Sequence, residues 1–369
     1  MLEKQMDFST LGSLVQNPRL FYGPVKKPFL APRGIFISGQ KLFVSDTGQN
    51  RVFIWHTLPK NAHQDPDIIL GQTEITADGR NANDKVSSQT LHYPSGIWSD
   101  GDKLVVADAW NHRVLIWNQM PVSYAQPADI VLGQKNFSQN QPNLNGIQAT
   151  PTERSMHWPY GVFSDGKSLW VADTGNRRVL FFENFPEENY APATDVIGKP
   201  NFFTKDFSPN DPIWPYSVRV SKNGALAISD TQFYRTLIWL DKETAFSHKA
   251  DIIIGQENFE NSGQNQFRLQ PDAYTLNWTY DCFFYKKGIF VNDTGNSRIL
   301  YFENLPDKNN SSAQNLIGRN DFTTSSEFKG NLMGTNTALY WPFSICVDEQ
   351  DIYIADTGNH RLVLGNLSC

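Results

Sequence analysis

A six-fold repeat runs through this chain and constrains its fold more than any other feature. Each copy has an apolar segment that ends in Asp, a turn of four residues, an Arg and a second apolar segment, as in LFVSDTGQNRVFIW. The Asp residues follow one another at spacings of 62, 65, 57, 63 and 63 residues. The six pairs are Asp46 and Arg51, Asp108 and Arg113, Asp173 and Arg178, Asp230 and Arg235, Asp293 and Arg298, and Asp356 and Arg361. Because repeated units bury their apolar faces against one another, the repeat predicts the fold of all 369 residues.

Each repeat contains about four short segments with the composition of β-strands. In the first repeat they read GIFIS, LFVSD, RVFIW and DIILG. Aromatic and β-branched residues dominate them, Gly, Asn, Asp and Pro separate them, and no helical periodicity of useful length occurs. Four antiparallel strands in each of six units predict an all-β fold, a six-bladed β-propeller.

We expect one domain over residues 1–369, because the ring needs all six units. The last repeat ends just after its third strand, and the segment 7–15 loosely resembles the missing fourth. We therefore expect the N-terminal strand to join the last blade and close the ring, which removes its open edge. The expected blades are 32–76, 94–138, 159–204, 215–260, 279–323, and 342–367 together with 7–15.

The turn of the repeat resembles that of the NHL-repeat family. The pattern Asp-x-x-Asn-x-Arg is kept in repeats two, three, five and six, whereas Gln49 and Phe233 replace the Asn in the other two. The resemblance extends over essentially the whole chain and implies a six-bladed propeller. It implies little about activity, because NHL propellers include scaffolds, RNA-binding proteins and, in the peptidylglycine amidating lyases, zinc enzymes.

Charge and hydropathy exclude several classes of partner. The net charge is −6 and no block of Lys or Arg occurs, so we expect no nucleic-acid partner. No segment approaches the roughly 20 apolar residues of a membrane span, and the first 18 residues lack the apolar core of a signal peptide. We expect a monomer without a membrane partner, either cytoplasmic or, if a leader was removed, secreted or periplasmic.

Two sets of chemically reactive residues are interpreted as structural. The Asp and Arg of the turn occur in every repeat, whereas a catalytic site needs one asymmetric set of groups. Asp accepts hydrogen bonds from turn N–H groups, and Arg binds neighbouring carboxylates or carbonyls. Cys282 and Cys346 lie in predicted first strands without CxxC spacing, and a buried Cys there behaves as a small apolar residue.

Function is expected where equivalent positions differ, and the residues after the Pro that opens each first strand differ strongly. First strands line the channel of a propeller, so these residues meet at its mouth. They are Arg33, Ser95, Tyr160, Tyr216, Tyr280 and Phe343. Tyr rings combine apolar area with a polar group, as in many ligand pockets. Trp110 and Tyr234, from the two turns that depart from Thr-Gly, are expected over the same mouth.

The sequence thus predicts a binding or scaffold protein. Its aromatic mouth would take a small molecule, glycan or peptide, or its inter-blade loops would bind a protein partner. The alternative is an enzyme that uses Arg33, the Tyr residues and Asp281 for lyase- or hydrolase-type chemistry. Asp281 replaces a small residue of the other blades and is a candidate base. Because no complete catalytic set occurs, we assign no catalytic residue and favour the binding protein.

Trp and His recur at the two positions before the same Pro when the six repeats are aligned. Trp stands directly before this position in four repeats, at 158, 214, 278 and 341, with Thr279 in place of the Pro in the fifth repeat. We interpret these Trp residues mainly as packing between blades. The amidating lyases place a zinc-binding His directly after the Pro in three blades, and this chain has none there. His92 and His157 lie on adjacent blades, but zinc needs three or four ligands. We keep both as ligand-binding candidates and predict no metal and no cofactor. The other histidines, His56, His63, His112, His248 and His360, are expected at solvated positions.

Overall fold

The chain folds into six four-stranded antiparallel sheets, which are the blades of a propeller. The computed structural model describes residues 11–325 and 338–368. In chain order the strands are β1 (Val15–Phe21), β2 (Gly34–Ser38), β3 (Lys41–Asp46), β4 (Arg51–Trp55), β5 (Ile68–Leu70), β6 (Pro94–Ser99), β7 (Leu104–Asp108), β8 (Arg113–Trp117), β9 (Ile130–Leu132), β10 (Pro159–Ser164), β11 (Leu169–Asp173) and β12 (Arg178–Phe182). They continue with β13 (Asp195–Ile197), β14 (Pro215–Val220), β15 (Leu226–Asp230), β16 (Arg235–Trp239), β17 (Ile252–Ile254), β18 (Thr279–Tyr285), β19 (Gly288–Asp293), β20 (Arg298–Phe302), β21 (Asn315–Ile317), β22 (Pro342–Asp348), β23 (Asp351–Asp356) and β24 (Arg361–Leu367). Short 3-10 helices lie at Thr47–Gln49, Arg80–Asn83, Ala109–Asn111, Thr174–Asn176, Thr231–Phe233, Lys242–Phe246, Gln264–Phe267, Thr294–Asn296 and Thr357–Asn359.

The order of strands within the sheets confirms the predicted propeller. Five sheets consist of four consecutive strands, from β2-β3-β4-β5 to β18-β19-β20-β21, and the sixth has the order β1-β24-β23-β22. The first strands of neighbouring blades contact one another around the ring, and β2 meets both β6 and β22. The N-terminal strand therefore closes the ring, as the sequence predicts.

The closing strand lies later in the chain than we expected. Strand β1 pairs with β24 over Val15–Phe21, with Val15 opposite Leu367 and Phe21 opposite Leu362. Of the expected segment 7–15, residues 7–10 lie outside the described residues. The register shifts between Gln16 and Arg19. This bulge interrupts the two-residue alternation of buried side chains, so the strand pattern is not readable there from the sequence.

The repeated Asp and Arg form a buried ion pair in every blade, which confirms that they are structural. The Asp Oδ2 accepts from the Arg Nε at 2.6–2.8 Å in all six copies, and both side chains are buried. The other carboxylate oxygen binds the backbone that leads into the first strand; for example, Leu30 N–H donates to Asp46 Oδ1 at 2.7 Å. Burial raises the pKa of Asp46 to about 6, although Arg51 and these hydrogen bonds lower it. Each Asp therefore joins the turn to the start of its own blade.

The hydrophobic core lies between neighbouring blades. One cluster contains Val105 and Val114 of the second blade together with Val162 and Val171 of the third. Each blade therefore depends on its neighbours for burial, as expected of a repeat fold. Cys282 and Cys346 are free and buried. Burial raises the pKa of both thiols to about 12, so they remain protonated and fill core volume.

Candidate functional site

The residues predicted to meet at the mouth of the channel do meet there, and their rings fill the axis. Tyr160 stacks on Tyr216 with ring centroids 4.7 Å apart, and Tyr216 meets Tyr280 edge-on at 4.6 Å. Tyr280 in turn stacks on Phe343 at 4.0 Å. Tyr216 is 7% exposed and Phe343 is 5% exposed, whereas Tyr160 and Tyr280 are half-buried. These four rings, here called the axial stack, close the channel instead of lining an open pocket.

Arg33 lies against the axial stack. Its Cζ is 4.0 Å from the centroid of the Phe343 ring and 5.0 Å from that of Tyr93. Its Nη1 donates to the Tyr216 hydroxyl at 3.3 Å, and the same hydroxyl is 3.3 Å from Ser95 Oγ. The Arg33 Nε is buried and has no hydrogen-bond partner among the described residues. The guanidinium is therefore held by rings and one phenol.

Asp281 lies in the channel next to the axial stack, where an ion pair occupies its carboxylate. Arg219 Nη2 lies 2.9 Å from that carboxylate. Ser344 Oγ donates to it at 2.8 Å and the Cys282 N–H at 2.9 Å. The sequence-based enzyme alternative needed a free carboxylate here. It overlooked Arg219, although this is the one charged residue at its position among the six first strands.

The phenols of the mouth act as neutral hydrogen-bonding groups. Burial raises the pKa of Tyr160 to about 12, partly opposed by the hydrogen bond from Trp110 Nε1, which is 3.2 Å long. Burial also raises the pKa of Tyr93 and Tyr280 above its ordinary value. These hydroxyls therefore keep their protons near neutral pH and do not serve as bases there.

A belt of partly exposed aromatic residues surrounds the axial stack. Trp110, Trp278 and Trp341 are 43, 44 and 41% exposed. Trp110 stacks on the half-buried Tyr93 at 4.6 Å. We call this belt the aromatic rim; its members are Tyr93, Trp110, Trp158, Trp214, Trp278 and Trp341.

The Trp column, interpreted from the sequence mainly as packing between blades, differs between its members: the Trp158 and Trp214 rings of adjacent blades lie 6.1 Å apart, whereas Trp278 and Trp341 are 44 and 41% exposed. The residue before the Pro has a positive φ in five blades, for example 47° at Trp278 and 50° at Trp341. This left-handed bend leads the chain into the first strand at the end of the channel. The bend alone does not set the exposure, because Tyr93 and Trp158 share it and are half-buried. The sequence signal was present in the column itself, but exposure could not be read from it.

The two candidate histidines lie on one side of the rim with a third that we had expected in solvent. His92 meets Trp110 edge-on at 5.2 Å, and His157 lies 5.3 Å from His112, measured between ring centroids. His112 is buried, which corrects the expectation that it is solvated. Burial, with His157 and His92 nearby, lowers the pKa of His112 to about 3. Burial likewise lowers the pKa of His92 and of His157. All three imidazoles are therefore neutral at physiological pH.

The position of His112 has a structural task that recurs in other blades. His112 Nδ1 accepts from the Trp158 N–H of the next blade at 3.1 Å. The same bond to the next blade is made by the residue four after the Asp in three further blades, through Asn50 Oδ1, Ser297 Oγ and His360 Nδ1. Comparison of this column across the repeats would have identified it, because all four side chains can accept a hydrogen bond.

The remaining candidate from the sequence, Tyr234, does not join the axial stack. Among the described contacts, the Tyr234 ring touches no ring of the axial stack, and its carbonyl accepts from Gln256 Nε2 at 3.3 Å.

Within residues 11–325 and 338–368, no group of three or more His, Cys, Asp or Glu side chains is placed to hold a metal ion. In the same part of the chain, no helix is long and apolar enough to cross a membrane.

Comparisons with known proteins give one family-model match and several similar solved structures. The family model of the NHL repeat matches residues 339–363, which lie in the sixth blade. No curated protein matches the chain. Similar solved structures include virginiamycin B lyase from Staphylococcus aureus, with 11% identity, 95% of this chain and 100% of that chain covered, and a TM-score of 0.46. A catalytically inactive variant of that lyase with quinupristin gives the same values. The computationally designed protein Ika8 is 7% identical, with 94% of this chain and 100% of that chain covered and a TM-score of 0.44. We draw no function from these structural similarities.

Proposed function

We propose that this six-bladed β-propeller, which contains an NHL repeat, is a binding protein whose aromatic rim receives a small molecule, a glycan or a peptide segment. The exposure of the rim carries the proposal, because Trp110, Trp278 and Trp341 are 41–44% exposed around one opening. Large exposed aromatic surface concentrated in one place is typical of interaction sites. Trp and Tyr offer area with little loss of conformational freedom on binding.

The closed axis determines how such a ligand would lie. The channel beside the axial stack has a cavity of about 20 Å³, room for little more than one water molecule. A ligand would therefore rest across the mouth, with Tyr160 and Tyr280 as the floor and the rim tryptophans as walls. A flat or extended ligand, such as a sugar ring, a proline-containing peptide or an aromatic molecule, fits this shape.

The polar groups near the rim support binding more than catalysis. Trp110 Nε1 and the Tyr160 hydroxyl are hydrogen-bonded to each other and orient one side of the mouth. The neutral imidazole of His92 lies next to Trp110. The enzyme alternative has no comparable support, because Asp281, the one carboxylate among the described residues that line the axial cavity, is held by Arg219 and Ser344.

A thermal-shift screen tests the proposal. The purified protein is heated with sugars, proline-containing peptides and aromatic amines, each near 1 mM. A ligand at about 100 times its dissociation constant adds roughly 2.7 kcal/mol of stability, a shift of several degrees. We expect at least one class to raise the melting temperature, and Trp278→Ala and Trp341→Ala to abolish the shift.

Tyr124→Ala is the matched control. Tyr124 is exposed to a similar degree but lies in the loop after β8, at the end of that strand opposite the rim. It should bind as the wild type does. If a ligand is found whose binding depends on the inter-blade loops and not on Trp278 or Trp341, the proposed site is wrong. Such a result would favour the protein-partner alternative.

A further inference from the structure

The axis of the propeller carries a positive charge that no described carboxylate neutralises. Three charged side chains line the axial cavity: Arg33, Arg219 and Asp281. Asp281 pairs with Arg219 at 2.9 Å. In the part of the chain that the structure describes, the polar contact of the Arg33 side chain is the hydrogen bond from its Nη1 to Tyr216. The cavity therefore has a net charge of about +1.

The surroundings of Arg33 compensate this charge incompletely. The faces of Phe343 and Tyr93 attract a cation, but a ring is a weaker partner than a carboxylate. The buried Arg33 Nε has no acceptor among the described residues. Arg33 is only partly exposed to solvent, so a charge without a carboxylate partner is unfavourable there, and the unpaired buried donor adds to the cost. An anion would supply both the charge and the acceptor.

We propose that Arg33 is the centre of a binding site for a monovalent anion on the propeller axis. The anion is either a free halide in the cavity or the carboxylate of a ligand on the aromatic rim. A cavity of about 20 Å³ holds one atom-sized guest, which fits a halide. A carboxylate would reach Arg33 from the mouth as part of a larger molecule. The carboxylate form rests on the proposed function, whereas the halide form does not.

The local charges and donors favour a monovalent anion. One uncompensated guanidinium matches one negative charge, and Asp281 in the same cavity would repel a dianion such as sulfate or phosphate. Ser95 supplies a second donor. When the Tyr216 hydroxyl accepts from Arg33 and donates to Ser95 Oγ, the proton of Ser95 remains for the guest.

Anomalous diffraction from crystals grown with bromide tests the halide form. We expect a bromine peak within hydrogen-bond distance of Arg33 in the wild type and none in Arg33→Gln. Arg268→Gln is the matched control, because it removes the charge of an Arg in an outer loop. The Arg268 side chain is 53% exposed. It should keep the peak. Bromine peaks at the surface without one at Arg33 would contradict the halide form.

Calorimetric titration with benzoate and with its neutral analogue benzamide tests the carboxylate form. We expect benzoate to bind at least ten-fold more tightly than benzamide. Arg33→Gln should remove this preference, and Arg33→Lys, which keeps the charge, should retain part of it. If Arg33→Gln does not fold, the wild-type comparison of the two probes still decides.

The bromide diffraction and the benzoate titration together distinguish the anion site from the proposed function. A bromine peak or a preference for benzoate supports the anion site and identifies its source, and the absence of both overturns it. A neutral rim ligand that binds wild type and Arg33→Gln equally would support the proposed function and contradict the carboxylate form. Bromide at Arg33 without any rim-dependent ligand would support the anion site alone.

Discussion

At the scale of single residues, a hydrogen-bond acceptor links each of four turns to the next blade. In the second blade this acceptor is His112 Nδ1, which receives the Trp158 N–H at 3.1 Å. In the first blade Asn50 Oδ1 does the same for Tyr93 at 3.0 Å. An imidazole accepts only while that nitrogen carries no proton. Protonation of His112 therefore breaks a bond that Asn50 keeps at every pH.

Replacement of His112 by Asn should reduce the loss of stability in acid. The pKa of His112 is about 3 in the folded protein and ordinarily 6.5. Between these values the unfolded chain binds a proton that the folded chain does not. The free energy of unfolding therefore falls as pH drops from about 6.5 towards 3, by up to about 1.4 kcal/mol per pH unit. Urea unfolding at pH 7.5 and pH 5 should show a smaller difference for His112→Asn than for the wild type.

The difference in pH dependence between His112→Asn and the wild type reports on the His112 imidazole. Asp46 acts in the opposite sense, because its raised pKa of about 6 makes the folded state bind the extra proton between about pH 4 and 6. That contribution is common to both proteins and cancels. His56→Asn, at an exposed position, is the control and should keep the wild-type dependence. If His112→Asn also keeps the wild-type pH dependence, protonation of His112 does not cause the loss of stability in acid.

At the scale of elements, a Thr binds the turn after the second strand to the start of the next blade in five of the six blades. The Thr of the turn donates through Oγ1, at 2.5–2.7 Å, to the backbone carbonyl of the residue that opens the first strand of that blade or, in the case of Pro32, of a residue two positions before it. The pairs are Thr47 to Pro94, Thr174 to Pro215, Thr231 to Thr279, Thr294 to Pro342 and Thr357 to Pro32. The second blade has Ala109 in this place. Thr in the motif therefore holds neighbouring blades together.

Substitution of one such Thr by Val should destabilise the ring locally. Thr174→Val keeps the shape and leaves the buried Pro215 carbonyl without its donor. The expected cost is about 1–2 kcal/mol, or roughly 2–6 °C in melting temperature. Thr174→Ser keeps the hydroxyl and should lose much less. Both variants are compared with the wild type by thermal and urea unfolding. A loss in Thr174→Ser that exceeds the loss in Thr174→Val would show that the methyl group, which Val keeps, matters more than the hydrogen bond.

At the scale of the whole molecule, stability depends on closing the ring. Because the hydrophobic core lies between blades, each part of it is buried only when the two adjacent blades are both in place. Strand β1 covers the outer edge of β24, and its Leu20 and Phe21 are buried. Without β1, the edge of β24 would be free to pair with another chain.

Removal of residues 1–21 should therefore cause association and loss of stability. We expect size-exclusion chromatography to show oligomers or aggregates and thermal unfolding to begin at a lower temperature than in the full chain. Removal of residues 1–10 leaves β1 in place and is the control. A truncated protein without residues 1–21 that remains monomeric and melts at the wild-type temperature would show that β1 is dispensable.

The sequence by itself determined the features that repeat. The period of the Asp and Arg predicted six blades, four strands in each and a structural ion pair, because every blade makes these contacts within itself. It also predicted which residues meet at the mouth, since first strands of a propeller face its axis. The closing strand was misplaced because a bulge at Gln16–Arg19 interrupts its alternation.

Tertiary structure alone decided how residues of different blades meet. Arg219 reaches Asp281 across 62 residues of sequence and occupies the proposed base. Tyr216 meets Tyr280 edge-on and Tyr280 stacks on Phe343, and these contacts close the axis. Because Asp281 pairs with Arg219, Arg33 has no carboxylate partner among the described residues. Such contacts depend on the radius of the ring and on the side-chain conformations that fill it. Neither quantity is encoded in a sequence period, because the period describes one blade and the site is formed by six.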